Sequence, residues 1–162
     1  MKKLFIVNSR AEPKVLARFK SAVSEYSAKY PEETEIIYTE FAGHSSEAAK
    51  RAAGEQDLMV VACGGDGTMH EVANSLAQSG TPMALIPLGT GNDFTRSIMD
   101  ENHRRNCEVC LKDIYSDKYA IKNSDLIRVI SYDRFGNKIE ANSAWCLNVA
   151  SIGFDTEVQL RA

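Results

Sequence analysis

The sequence predicts an α/β fold: a mostly parallel sheet flanked by helices, followed by the start of a second, β-rich domain. Three observations predict it. Short, uninterrupted apolar runs such as Leu58-Met59-Val60-Val61-Ala62-Cys63 have the pattern of strands buried on both faces. Helical patterns separate these runs, and strands that alternate with helices imply βαβ crossovers. Beyond Arg105 the alternation gives way to adjacent strand-like runs, the mark of a second sheet beginning. A chain of 162 residues with 44% hydrophobic and 25% charged residues is long enough, and ordinary enough, to bury a stable core.

Lys3–Val7 is the first predicted strand, and Asn8-Ser9-Arg10-Ala11-Glu12 is the loop at its end. Pro13 suits a first helical turn. Val15, Phe19, Ala22, Val23, Tyr26 and Tyr30 then recur at three- and four-residue spacing, the apolar face of a helix that Pro31 ends. Glu35–Thr39 reads as a second strand, Phe41–Ser46 as a polar loop, and Glu47–Glu55 as an alanine-rich helix. The apolar run Leu58–Cys63 follows, and then Gly64-Gly65-Asp66-Gly67-Thr68. Thr68-Met69-His70-Glu71 fits a capping box that opens a helix to about Ser79. Gly80-Thr81-Pro82 is a break, and Met83–Ile86 is another short buried strand. It leads into a second glycine-bearing loop, Pro87-Leu88-Gly89-Thr90-Gly91-Asn92-Asp93-Phe94, in which Thr90-x-x-Asp93 again resembles a helix start.

After Arg105, Val109, Leu111, Ile114 and Tyr115 predict a helix. Lys118–Lys122 and Leu126–Tyr132 are strand-like, Phe135-Gly136-Asn137 is a hairpin turn, and Ala144–Val149 is a returning strand. The residues left before Ala162 give little room to complete that sheet, so it is expected to be unfinished, with an edge open to pairing and hence to homo-oligomer formation.

Composition also excludes. A net charge of −3 gives no general pull toward nucleic acid. Met1-Lys2-Lys3 precedes only four apolar residues, too few for a signal peptide, and no run approaches a transmembrane span; the expected location is cytoplasmic. Cys63, Cys107, Cys110 and Cys146 make no disulfide framework. Cys63 and Cys146 read as core residues, and Cys107-x-x-Cys110 with His103 lacks the second pair that a structural zinc site needs.

The chemistry concentrates in the first glycine loop. A strand, a glycine turn and a helix start together form a phosphate site, because glycine allows close backbone approach and free N–H groups point at the anion. Asp66 would repel phosphates unless a cation lay between them, and magnesium is the simplest resolution. In open parallel sheets ligands bind at the carboxyl ends of strands. Asn8, Thr39, Gly64 and Gly89 all fall at such ends, so four loops converge on one edge. Asp93 either caps a helix or serves the site. Asp125 is either a turn residue or part of it, and His70 reads as a solvated helix residue. Arg96, His103, Arg104 and Arg105 form either a solvated basic face or one that meets membrane phosphates.

Gly64-Gly65-Asp66-Gly67-Thr68, followed about twenty residues on by Pro87–Phe94, resembles the diacylglycerol kinase catalytic-domain family. Asp125-Leu126-Ile127 and Asn148–Asp155 continue the resemblance, which is closest to the bacterial type and extends to sphingosine and ceramide kinases. It implies a nucleotide-binding α/β domain over residues 1–123, similar to that of NAD kinase, with the beginning of a β-sandwich domain over 124–162. It also implies an ATP-dependent lipid kinase that acts on a lipid such as diacylglycerol at the membrane surface. Carried over residue by residue, Thr39, Gly64, Gly65, Asp66, Gly67, Thr68, Met69, His70, Glu71 and Thr90 match nucleotide-binding positions. Asp66, Asp93 and Asp125 match the acidic positions of a magnesium and water network, so ATP and Mg2+ are the expected cofactors. The family's Asp-Gly-Glu segment, which carries the base, does not occur, so no catalytic residue is assigned. Asn8 is followed by Ser9-Arg10-Ala11, where the family usually has Asn-Pro and then Ser-Gly. A NAD kinase-like enzyme and a non-catalytic nucleotide-binding module are the competing readings.

Overall fold

Four strands form one parallel sheet: β1 (Lys2–Val7), β2 (Thr34–Tyr38), β3 (Leu58–Gly64) and β4 (Met83–Pro87), in the spatial order β2-β1-β3-β4. The computed structural model describes residues 1–147. The register aligns the carboxyl ends of the strands, with Val7 opposite both Tyr38 and Cys63, and Gly64 opposite Pro87. The loops that leave these strands therefore start from one line. The order reverses between β1 and β3, which makes that gap the topological switch point where such sheets bind ligands.

Side chains alternate across the sheet with a period of two, and each face has its own core. Phe5, Val7, Met59, Val61, Cys63 and Ile86 point to one face, where α1 (Pro13–Lys29) supplies Phe19 and Val23, and α6 (Cys107–Tyr115) supplies Leu111, Ile114 and Tyr115. Leu4, Ile6, Val60, Ala62 and Leu85 point to the other, covered by α2 (His44–Ala52) and α3 (Asp66–Leu76). β3 is buried at every position, as a central strand with both faces covered must be. Lys3 lies on the first face with its ammonium 2.8 Å from Glu33 and 5.4 Å from the centre of the Tyr115 ring. The buried side chain thus has an opposite charge and an aromatic face as partners.

Two short helices follow β4: α4 (Asp93–Ile98) and α5 (Glu101–Arg105). β5 (Ile127–Tyr132) and β6 (Lys138–Cys146) then form a separate antiparallel pair, joined by a turn in which Asp133 accepts N–H bonds from Phe135 and Asn137. The Oδ1 of Asn74 on α3 accepts the backbone N–H of Trp145 at 2.7 Å, which ties the hairpin to the helix of the first glycine loop.

Several boundaries differ from expectation. α2 begins at His44 rather than Glu47, because Gly43 at φ +87° turns the chain directly into it. Gly54 at φ +83° leaves Glu55 outside the helix. Lys118–Lys122 is not a strand: Ile121 is exposed, and apolar alternation without a partner ladder does not make one. β6 begins at Lys138 rather than Ala144, since the tight turn lets pairing start at once with Tyr132 opposite Lys138. Val149, at the end of the predicted returning strand, and Asn148–Asp155 of the family resemblance lie outside the described residues.

Candidate functional site

The largest local correction falls on the first glycine loop. α3 starts at Asp66, and only Gly65 separates it from β3. Thr68 therefore sits inside the first turn and is not a cap; no side chain caps this helix. Its side chain packs beneath Gly64 and is 8% exposed, and a Cβ on Gly64 would lie 2.6 Å from the Cβ of Thr68. The first turn of the helix is thus made of the glycine motif itself, and the amides that lack intrahelical acceptors belong to it. Their dipole end opens at the carboxyl edge of the sheet, where negative charge is favoured.

The second glycine loop is held against the first. The Leu88 N–H donates to the Gly64 carbonyl at 2.9 Å. Gly89 meets Gly65 backbone to backbone, so closely that a Cβ on Gly89 would lie 2.5 Å from the Gly65 Cα. Asn92 takes the left-handed conformation at φ +52°, and its amide group donates to the Gly89 carbonyl. The Thr95 hydroxyl, fully buried, donates to the Asn92 carbonyl at 2.8 Å. Asp66 joins the two loops, since its Oδ1 accepts the Phe94 N–H at 3.3 Å. This carboxylate caps α4 from a distance, a role that sequence reasoning did not give it.

Beside the loops lies a shallow cavity of about 240 Å³, bounded by Asn8, Arg10, Thr39, Phe41, Gly67, Thr68 and Glu71 among others. Thr39 is fixed there by its own N–H bond to the Val7 carbonyl and by Ser9, whose N–H reaches the Thr39 hydroxyl and whose hydroxyl donates to the Thr39 carbonyl. Asn8 accepts the Arg10 N–H at 2.9 Å and continues the β1–β3 ladder through its own N–H to the Cys63 carbonyl. A larger cavity of about 480 Å³ lies at the opposite edge of the sheet, against Lys3, Glu33 and Arg51. It is remote from every free helix amide of the glycine loops. The smaller cavity is the better candidate, because it lies at the carboxyl ends of the strands.

The predicted residues separate into three groups. Thr39, Gly67, Thr68 and Glu71 share the small cavity. Gly64 and Gly65 lie outside its lining and pack against Thr68 and Gly89, and Asp66 bridges the loops. Met69 is fully buried in the core between α2 and α3, which leaves its backbone alone for a ligand. His70 is half-buried, and Thr90 is exposed outside the lining of the cavity. Among the described residues no three acids, histidines or cysteines gather into a metal cluster. Asp93 is exposed and paired with Arg96 at 3.1 Å, while Asp125 is exposed in the segment before β5. The donor set suits a magnesium ion held largely by water and phosphate, which needs only one or two carboxylates, and it does not suit an all-protein cage. The cysteines behave as core residues, all four free and buried. Burial pushes the Cys107 thiol up to about 11 and Cys110 to about 12.

Arg10 and Phe41 also line the small cavity, and neither was expected there. Their signal in sequence was a cation in the first loop and a large ring in a polar one.

These features have counterparts in known proteins. A diacylglycerol kinase of Bacillus subtilis (strain 168) is 38% identical over 85 residues, 49% of this chain and 28% of that protein. One of Staphylococcus carnosus (strain TM300) is 36% identical over 91 residues, 55% of this chain and 27% of that protein. The crystal structure of a diacylglycerol kinase from Bacillus anthracis str. Sterne superposes with a TM-score of 0.53 at 29% identity, covering 69% of this chain and 42% of that one. The match thus spans under a third of the length of these curated relatives. The family model for the diacylglycerol kinase catalytic domain matches residues 2–122, and the chain belongs to that family.

Proposed function

We propose that this chain is the nucleotide-binding part of an ATP-dependent lipid kinase that transfers a γ-phosphoryl group to a lipid hydroxyl such as that of diacylglycerol. The supporting observation is the pair of glycine loops locked together at the carboxyl ends of β3 and β4, with the free amides of α3 beside a cavity that reaches Thr39. Residues 1–123 form the nucleotide domain in this reading, and 124–162 open the β-rich domain. In this reading a cytoplasmic protein meets the lipid at the surface of the bilayer; among the described residues no helix is long and apolar enough to cross a membrane.

Each group has a distinct task. Amides at the start of α3 hold phosphate oxygens, and the Thr39 hydroxyl and Asn8 line the entrance. Asp66, with Asp93 and Asp125 acting through water, holds Mg2+. Bound there, the ion neutralises phosphate charge that would otherwise face the Asp66 carboxylate. The acceptor wall and the base come from the rest of the protein, so this chain alone binds nucleotide and turns over little lipid.

The test is lipid phosphorylation by the full-length protein with ATP and diacylglycerol, beside an assay with NAD. Phosphorylation of NAD without lipid turnover would replace this reading with the NAD kinase one. Asp66→Asn sharpens the test, since asparagine keeps an oxygen acceptor for the Phe94 N–H while losing the charge. Turnover should fall by about a hundredfold or more, with Tm within about 2 °C of wild type. Wild-type turnover at limiting magnesium would remove Asp66 from the metal.

A further inference from the structure

One wall of the small cavity is not phosphate chemistry. Phe41, in the loop between β2 and α2, lines it with 52% of its surface exposed. The ring is nonetheless held. The His44 ring stacks on it with centroids 4.6 Å apart and planes 1° from parallel. His44 is the first residue of α2, and its N–H donates to the Phe41 carbonyl at 3.3 Å. Its Nδ1 accepts the Glu40 N–H at 3.1 Å, so in the neutral ring the proton lies on Nε2. Gly43, in the left-handed region, folds the loop back so that the two rings meet.

A turn, a stack and a hydrogen bond thus fix an exposed aromatic ring in a cavity shared with Gly67 and Thr68 of the phosphate loop. His44 covers one side of the ring and is not part of the cavity lining. Its open side presents an apolar, flat surface that a flat partner in the cavity would cover favourably.

We propose that Phe41, backed by His44, is the base-stacking platform of the nucleotide site and the element that favours nucleotides over bare phosphate chains. This rests on the nucleotide-binding reading above. Every base has a π face, so the platform selects for the presence of a base and does not distinguish adenine from guanine.

The test titrates this chain calorimetrically with ADP and with inorganic tripolyphosphate, magnesium in excess. Phe41→Ala should weaken ADP about tenfold and leave tripolyphosphate unchanged, while Phe41→Tyr stays within about twofold of wild type for both. Equal ADP affinity in wild type and Phe41→Ala, or equal loss of both ligands, overturns the platform. If wild type binds tripolyphosphate but shows no preference for ADP, the platform falls and the phosphate cradle stands. If it binds neither, the nucleotide site falls and takes the platform with it. Should Phe41→Ala unfold, Phe41→Trp carries the test: ADP should quench its emission above the Trp145 background, and tripolyphosphate should not. Absence of that difference overturns the proposal.

Discussion

The two glycine loops do related work with different support. The first passes from β3 into α3 through one residue, Gly65, and its helix carries Met69 and Val72, both fully buried. Burial of each such side chain contributes about 1.5–3 kcal/mol. The second runs over Leu88–Asn92 into the six-residue α4, of which Thr95 alone is fully buried. Its shape comes from the first loop, through the Leu88–Gly64 hydrogen bond, the Gly89–Gly65 contact and the bond from Phe94 to Asp66. One loop is anchored in the core through its helix; the other enters from the buried Leu88 and beyond it hangs on the first. A short helix with little buried surface is marginal alone, so the second loop depends on contacts that cross between the motifs.

The change that breaks this dependence most severely is Gly89→Ala. The added methyl would meet the Gly65 Cα at 2.5 Å and the Gly65 nitrogen at 3.1 Å, and neither backbone atom can rotate aside. The loops must part. Overpacking of this kind costs about 1–3 kcal/mol, a fall in Tm of roughly 2–10 °C. ADP affinity should drop more than about tenfold with it, because both loops lose their places. Thermal melting and calorimetry on the same sample check both, and a variant with wild-type Tm and affinity would sink the interlock.

Much of the first loop was legible because its signals are local: an apolar run, three glycines and a helix beyond. The pattern marked Thr68 as a cap, but the helix starts two residues earlier. Capping boxes are read by spacing, whereas here the contact between Gly64 and Thr68 sets the start. The interlock was illegible in principle. Gly65 and Gly89 are far apart in sequence, and a missing side chain does not say which backbone will come close. Phe41 was hidden for a related reason, since an apolar residue in a polar loop signals a site only once its cavity exists. The hairpin showed its turn at Gly136, but its strand bounds follow from pairing, which no single strand reveals.

A smaller effect separates packing glycines from open ones. Gly67 is exposed, and a Cβ there would meet nothing within 4 Å. Inside the first turn of α3, alanine should stabilise the fold by about 0.5–1 kcal/mol, raising Tm by roughly 1–4 °C. In the proposed site the methyl would nonetheless stand where a phosphate meets the amides, so ADP binding should weaken about fivefold. Gly67→Ala should therefore move stability and affinity in opposite directions, where Gly89→Ala moves them together. A Gly67→Ala chain that binds ADP as well as wild type would place the phosphates elsewhere.

The smallest expected effect concerns how the second loop's helices are fastened behind it. His103 on α5 lies between two carboxylates, with Nε2 2.9 Å from Asp113 of α6 and Nδ1 2.8 Å from Asp100, the N-cap of α5. The hydrogen bond to Asp113, then that to Asp100, holds the imidazole above its ordinary value of 6.5. A group whose folded value is raised contributes stability fully below the unfolded value, and loses it as pH rises through the folded one. Asp100 is held below its ordinary 3.8, first by the backbone N–H of His103 and then by its ring, so it stays charged through this range. The advantage of wild type over His103→Gln should thus be greatest near pH 5.5, about 1–3 °C in Tm, and should shrink as pH climbs above 6.5. The pairs are partly exposed, which keeps the gain small and makes it fade at high salt. Melting curves of both proteins from pH 5 to 9 measure it. A gap that widened with pH would mean that His103 is held neutral and that α5 is fastened by packing instead.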